Sequence, residues 1–433
     1  MLIQFRVENH RSLCDEQVLS MVASETCEPG NERLIRRAAL QEALLPAVAL
    51  YGANASGKTN VVGALRFMMG AVRDSQRLWE PDSGPPQEPF ALSSKASAPS
   101  LYEIDFLLDE VRYRYGFVLS AMRVDAEWLE VWRDGEKRAL FEREADEFNF
   151  SEALPGENEA IKALTRPNSL FLSAAAQNNH KALSLIFGWF GAVFFTNRNT
   201  SPLDVSAPRG LLRDLLFDTS HLHFSLLSED KASNKRLRGA VAHLLRSADT
   251  GIIDIKSAQE ERTEPGFGML RSTRSEIYLR HRTEDADREA WLPLAVQSAG
   301  TITLLTMAIP ILRVLERGGL LCVDELEGNL HPMVALELLR LFNDPRQNPH
   351  GAQILFTAHD TNLLGNVLGE PALRRDQVWL TEKDQKGATH LYPLTDFHPR
   401  ADENLERGYL QGRYGAIPFL GQLVSLEGQA GGS

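Results

Sequence analysis

Apolar and polar positions change period several times along the chain, and each change marks an element. Met1-Leu-Ile-Gln-Phe-Arg-Val7 alternates as a half-buried strand does, and the short apolar run Ala47-Val48-Ala49-Leu50 suits a strand covered on both faces. Helical spacing follows in Val61, Val62, Leu65, Met68 and Met69. The stretch from Trp79 to Ser100, rich in Pro, Gly and Ser, reads as a surface connection. Leu101 to Leu108 and Val111 to Val118 then alternate with a two-residue period about Asp109-Glu110, which predicts a hairpin, and Ala126 to Trp132 continues the meander. From Leu211 to Leu245 the pattern turns helical (Leu211, Leu212, Leu215, Leu216, then Val241, Leu244, Leu245), with an interruption near Ser228 to Asn234. A last helical run, Ile302 to Ile309, precedes two more apolar strands, Leu320 to Val323 and Ile354 to Phe356.

Between the Ala47–Leu50 strand and its helix stands Gly52-Ala-Asn54-Ala55-Ser56-Gly57-Lys58-Thr59-Asn60, which contains a complete G-x-x-x-x-G-K-[ST] phosphate loop. The two glycines let the backbone curl so that successive N–H groups point at phosphate oxygens. Lys58 can reach the β and γ phosphates, and the Thr59 hydroxyl can ligate Mg²⁺. The context of strand, loop and helix makes the pattern specific, and the expected ligands are ATP and Mg²⁺.

The matching carboxylates lie far downstream, where Leu320-Leu-Cys-Val323 runs into Asp324-Glu325. Ligands of parallel sheets bind beyond the carboxyl ends of the strands, so Asp324 is expected to hold Mg²⁺ through water. Glu325 would orient and deprotonate the attacking water. The plain alternative is that both carboxylates merely open a helix. Two motifs flank this pair: Gln297-Ser298-Ala299-Gly300-Thr301 before an apolar helix, and Ile354 to Asp360, a strand ending in His359. Taken singly, Ser298 is an ordinary helix cap and His359 a satisfied strand-end histidine. In this order the motifs follow the layout of ABC-type ATPases. There Ser298 and Gly300 would meet the γ-phosphate held by another subunit, and His359 would sense it.

The wording is more specific still. Asp324-Glu-Leu-Glu-Gly-Asn-Leu-His331-Pro332, Phe356-Thr-Ala-His359-Asp-Thr-Asn-Leu-Leu364 and Tyr409-Leu-Gln-Gly-Arg-Tyr-Gly-Ala-Ile-Pro418 resemble the RloA/AriA-like group of bacterial ABC-type ATPases, relatives of the RecF, SMC and OLD-nuclease ATPase domains. The opening Phe5-Arg-Val-Glu-Asn9-His10-Arg11-Ser12 is similar to an Asn-Phe-Arg-Ser opening common among them, with histidine in place of the aromatic. The signature departs from the Leu-Ser-Gly-Gly-Gln form of transporters, as in the RecF-like relatives. By this resemblance Arg11 would approach nucleotide phosphate or base, and Gln177 would link Mg²⁺ to the lobe interface. It also implies ATP sandwiched between two heads, hence a homodimer or higher homo-oligomer, with the Asn329–His331 turn at the interface. An effector protein encoded nearby, such as a nuclease, would be the partner. The competing expectation is a RecF-like clamp that binds DNA directly; a transporter ATPase fits the first strand and the C-terminal ending less well.

The fold class expected is thus α/β: a P-loop ABC-ATPase-like head with a mixed sheet, an antiparallel β-layer and an inserted helical lobe. Residues 1–200 would form the N-terminal ATPase lobe, 201–290 a compact helical lid without the sustained heptads of a coiled-coil arm, 291–426 the C-terminal lobe and 427–433 a disordered tail. With 433 residues the chain can bury a substantial core. Forty-six basic against 58 acidic residues leave a net charge of −12, so the chain as a whole is no basic nucleic-acid coat. Lys235-Arg236-Leu-Arg238 and the group Arg271, Arg274, Arg280, His281 and Arg282 leave room for local basic sites, though acidic neighbours are interleaved. Three cysteines (Cys14, Cys27, Cys322) without ligand spacing speak against a zinc site or a disulfide framework. No signal-peptide core or uninterrupted membrane-length apolar run is present, so a cytoplasmic protein is expected.

Overall fold

The computed structural model describes residues 1–24, 31–133, 135–196, 231–248, 251–263, 271–284, 288–328, 330–367, 369–400 and 403–418. Strands β1 (Leu2–Glu8) and β2 (Gln17–Ser20) lead to β3 (Ala47–Gly52) and helix α1 (Lys58–Leu78). A meander follows: β4 (Ser100–Leu108), β5 (Val111–Leu119), β6 (Val124–Arg133), β7 (Glu136–Glu144) and β8 (Glu147–Phe150). Helices α2 (Asn158–Leu164), α3 (Phe171–Gln177) and α4 (Lys181–Gly191) precede β9 (Val193–Thr196). The insertion holds α5 (Lys231–Ser247), β10 (Ile252–Thr263), β11 (Arg271–His281) and β12 (Ala290–Pro293). The chain then forms α6 (Ala299–Arg317), β13 (Leu320–Val323), α7 (Pro332–Asn343), β14 (Gln353–Thr357), β15 (Val378–Lys383), β16 (Thr389–Pro393) and α8 (Leu405–Leu410).

Three sheets result. The antiparallel layer runs β2-β1-β4-β5-β6-β7-β8, and the central mixed sheet runs β16-β15-β3-β14-β13-β9. In the latter β15, β3, β14, β13 and β9 are parallel, and only β16 pairs antiparallel. The strands with continuous apolar sequence, β3, β13 and β14, are buried at every residue. Their side chains alternate between two cores. Val48, Leu50, Cys322 and Leu355 join α1, α3, α4 and the antiparallel layer. Ala49, Tyr51, Val323 and Phe356 face α6 and α7 on the other side. The hairpin turn falls at Asp109-Glu110 as expected, with φ of 48° and 58° at the two residues, the doubly left-handed turn that matches strand twist.

Both ends of the chain supply the mixed sheet, since β9 of the first half lies directly against β13. The two ATPase lobes expected from sequence therefore share one sheet. The insertion differs from the helical lobe expected: α5 is helical and packs on α6 and β10, but β10, β11 and β12 form a three-stranded antiparallel sheet. Polar residues crowd β10 (Asp254, Lys256, Gln259, Glu260, Glu261, Arg262), so its strands carry little of the apolar alternation that marks a half-buried sheet. Residues 201–230, Asn329 and the expected tail lie outside the described residues. Helix α6 is long and apolar enough to cross a membrane by length and composition, yet here it is a core helix with 61% of that stretch buried.

Candidate nucleotide site

The phosphate loop leaves β3 at Gly52 and enters α1 at Gly57. Both glycines are sterically required. A Cβ at Gly52 would stand 2.4 Å from the Thr381 carbonyl and hydroxyl oxygens, and one at Gly57, where φ is 112°, would stand 2.2 Å from Thr389 Oγ1. Thr381 and Thr389 belong to β15 and β16, so the loop is seated on strands more than three hundred residues away in sequence. Ser56 Oγ bonds Thr381 Oγ1 at 2.6 Å, and Thr389 Oγ1 donates to the Ser56 carbonyl at 2.8 Å. The tip residues Asn54 and Ala55 remain exposed, Ala55 in a left-handed conformation with φ 62°.

Helix α1 begins with no side-chain cap and no acidic residue in its first turn. Its N-terminal N–H groups and dipole therefore favour an anion at the loop. Lys58 is buried, and its ammonium donates to the Gly52 and Ala53 carbonyls at 2.7 and 3.0 Å. Burial pushes its pKa down to about 8 against the opposing pull of Glu327, Asp324 and Glu325. Asn60 Nδ2 donates to Ser12 Oγ at 2.6 Å, and Ser12 bonds Thr389, so the N-terminal segment braces the loop from one side. Arg11 packs against the first turns of α1, where its guanidinium lies 3.3 Å from the position of a Cβ on Gly63, but its Nε pairs with Glu88.

At the carboxyl end of β13, Asp324 Oδ1 accepts from Thr59 Oγ1 at 3.1 Å and from Thr357 Oγ1 at 2.8 Å. The motif residues of the two chain ends thus converge. Asp324 is buried, and its side-chain partners are hydroxyls rather than a cation. A buried carboxylate beside a threonine hydroxyl at a phosphate loop is an all-oxygen donor set that fits Mg²⁺. Glu325 sits in a left-handed turn with φ 59°, and its amide donates to Thr357 Oγ1 at 2.7 Å. His359 follows β14 at the surface. Partial burial, then the charge of Lys58, hold its imidazole below the ordinary histidine pKa.

Ser298 caps α6: its Oγ accepts the Thr301 amide at 3.1 Å and meets the Thr301 hydroxyl at 2.9 Å. It is exposed, and Gly300 is half-buried. Helix α6 returns through Gly318-Gly319 to β13 and packs on it, so the helix N-terminus points towards the carboxylate end of the sheet. Nineteen helical residues against four strand residues make the helix overshoot that end by about 15 Å. Ser298 is not brought to the phosphate loop of its own chain.

Gln177 does not join the site. It is the last, exposed residue of α3, whose start is held beside the far end of α1 by Leu170 N–H to Ser75 Oγ and Gln76 N–H to Ser173 Oγ. That end lies about 25 Å along α1 from Lys58, and α3 spans only about 10 Å. The residue the sheet does bring there is Thr196, at the end of β9, whose carbonyl accepts the Asp324 amide at 3.2 Å. Sequence reading also passed over Glu327, Thr357, Thr381 and Thr389. Thr357 and Glu327 sit inside quoted motifs, whereas Thr381 and Thr389 lie in strands that carry no motif.

Over residues 47–365 the sequence matches the family described as "AAA domain, putative AbiEii toxin, Type IV TA system". The chain belongs to this AAA-domain family. The matched span runs from β3 past His359 and so takes in the phosphate loop, the carboxylates and the signature helix. No curated protein matches the chain. Among solved structures, the SMC head domain from Thermotoga maritima is similar at 12% identity and a TM-score of 0.39, over 90% of this chain and 98% of that one. An SmcHead bound to the C-winged helix domain of ScpA is similar at 14% identity and 0.43, over 90% and 96%.

Proposed function

We propose that the protein binds Mg·ATP and hydrolyses it as a homodimer whose two heads sandwich the nucleotide. The observation that carries this reading is the convergence of Lys58, Thr59, Asp324 and Glu325 at one helix N-terminus, while Ser298 stands at the exposed start of α6, beyond the carboxylate end of its own sheet. Lys58 and the loop amides would bind the β and γ phosphates, and Thr59 with Asp324 would hold the Mg²⁺. The metal would neutralise charge developing on the phosphate oxygens. Glu325 would take a proton from the attacking water, and His359 would meet the γ-phosphate. Ser298 and Gly300 of the second copy would complete the site from the other side.

Mixing tests this arrangement. Lys58→Ala and Ser298→Tyr proteins are each expected to be inactive, but a one-to-one mixture pairs an intact loop with an intact α6 end. By random pairing it would recover roughly a quarter of wild-type hydrolysis. A mixture as inactive as its components would sink the sandwich.

The wider role we assign is that of an RloA/AriA-like, cytoplasmic, nucleotide-gated scaffold in antiphage defence that holds a separately encoded effector. The toxin–antitoxin description of the family, the Tyr409 to Pro418 ending and the Asp360-Thr-Asn after His359 support it. Mass in solution of the protein with the product of the adjacent gene, with and without ATP, tests it: an ATP-sensitive assembly is expected, and no association would refute the effector. A DNA clamp is the second reading, favoured by a groove of about 470 Å³ on the insertion, where Arg238, Arg246 and Arg280, the last paired with Glu289, outnumber Asp254. DNA binding that weakens steeply with salt only in the ATP state would move weight to it.

A further inference from the structure

Two glutamates follow Asp324, and the hydrolytic reading uses only the first. The left-handed turn at Glu325 swings the chain back along the exit of β14, where the Leu326 amide bonds the Thr357 carbonyl at 3.1 Å. Glu327 is thereby laid against residues 359–360. Its Oε1 accepts the amide of His359 and, at 3.2 Å, that of Asp360. Tyr51 OH holds the same segment from the other side by donating to the Asp360 carbonyl at 3.0 Å. The second oxygen of Glu327, Oε2, is buried and has no hydrogen-bond partner among the described residues.

An unsatisfied buried carboxylate oxygen is costly, which marks the position as one kept for something other than stability. Among the carboxylates around Lys58, Glu327 exerts the strongest pull on its ammonium, ahead of Asp324 and Glu325. The cation that would receive the phosphates, bonded to the Gly52 and Ala53 carbonyls, thus already lies within the field of an anion of this chain, and that anion is also what pins the exit of β14. A third phosphate brought to Lys58 would meet Glu327 as a like charge in a partly desolvated setting, where such repulsion is strong.

We propose that Glu327 is the residue by which this site tells a triphosphate from a diphosphate: with no γ-phosphate bound its carboxylate clamps the His359 and Asp360 amides, and a γ-phosphate arriving beside Lys58 drives it off and frees them. Glu327 is a positioning residue in this scheme, since it acts through the His359 segment and through Lys58. The turn it belongs to continues by Leu330 to His331, the cap of α7, so its release moves the stretch expected at the dimer interface. The inference rests on the nucleotide reading above and is tested separately from it.

Fluorescent N-methylanthraniloyl ATP and ADP are titrated into the full chain, and amide hydrogen exchange is followed at residues 359–360. In wild type these amides are expected to be protected without nucleotide and with ADP, and exposed by a non-hydrolysable ATP analogue. Glu327→Gln keeps an acceptor oxygen but loses the charge; it should keep the protection while raising the preference for ATP over ADP about tenfold. Glu327→Ala should lose the protection as well. A merely structural glutamate would change stability in both variants and leave the ATP to ADP ratio where it was. An unchanged ratio in Glu327→Gln, or equal exposure with ADP and the ATP analogue, overturns the inference while wild-type binding still upholds the nucleotide reading. Wild type that binds neither probe overturns both.

Discussion

Helices α1 and α6 both begin with an N-terminus suited to phosphate, and they are built in opposite ways. The start of α1 has a glycine cap with nothing to offer, buries Gly57 and Lys58, and is tied with the loop before it to β1–β2 connection residue Ser12, to β15 and to β16. The start of α6 has Ser298, which satisfies its own helix, and it stands exposed beyond the sheet. An end that must hold a ligand by itself needs its donors empty and its backbone immobilised. An end that only docks on a ligand held elsewhere can be self-satisfied until it docks. The contrast implies that damage at α1 costs binding, whereas damage at α6 costs only what the second copy contributes.

The largest effect that would break this contrast is at Lys58. Lys58→Ala should weaken ATP binding about 1,000-fold, because charge-assisted bonds to two phosphates are lost at once. Isothermal titration reads it directly; wild-type affinity would mean the loop amides alone hold the nucleotide. Next comes Glu325→Gln, which should keep ATP, lower hydrolysis about 100-fold and stabilise the closed dimer. Normal turnover in that variant would remove Glu325 from its role and leave the contrast resting on binding alone.

A smaller effect follows from pH. Because burial lowers the Lys58 pKa to about 8 in the free protein, its charge is present below that pH and lost above it. The competent fraction at pH 9 is about one in eleven, so ATP affinity should be about tenfold weaker at pH 9 than at pH 7. The sign for stability is opposite to that of a salt-bridged lysine. The unfolded chain holds this proton up to its ordinary pKa near 10.5, so the cost of burying the charge is relieved as pH rises between about 8 and 10.5. An affinity flat from pH 7 to 9 would mean that Lys58 keeps its proton with no phosphate present.

The α1 end was legible because its demands are local. Two glycines, a lysine and a threonine at fixed spacing encode a backbone path and its charge, and apolar runs encode β3, β13 and β14. What seats the loop was not legible: Thr381 and Thr389 read as ordinary strand formers, and only the sheet order brings them to Ser56 and Gly57. Gln177 was misplaced for the same reason. The resemblance put it beside the Mg²⁺, but Phe171–Gln177 is a helix held at the far end of α1, and the strand that reaches the carboxylates is β9, one helix later. The sheet of the insertion carried too few apolar residues to declare itself. Glu327 lay in plain view inside Asp-Glu-Leu-Glu, and its bonds to the His359 segment depend on a left-handed turn that a glutamate does not advertise.

The smallest expected effect sharpens the comparison most. Ser298→Ala removes the side chain that caps α6, and such a loss costs about 1 kcal/mol of stability. ATP affinity of the single chain should not move, because the serine lies about 15 Å beyond the carboxylate end of its own sheet. Hydrolysis, which needs the second copy, should fall severalfold. Ser298→Asn separates the two consequences, since it can cap the helix as serine does but presents a longer, different group outward. It should restore the melting temperature and leave hydrolysis low. If the asparagine variant recovered both, Ser298 would be a cap and nothing more, and the two helix ends would differ in exposure without differing in task.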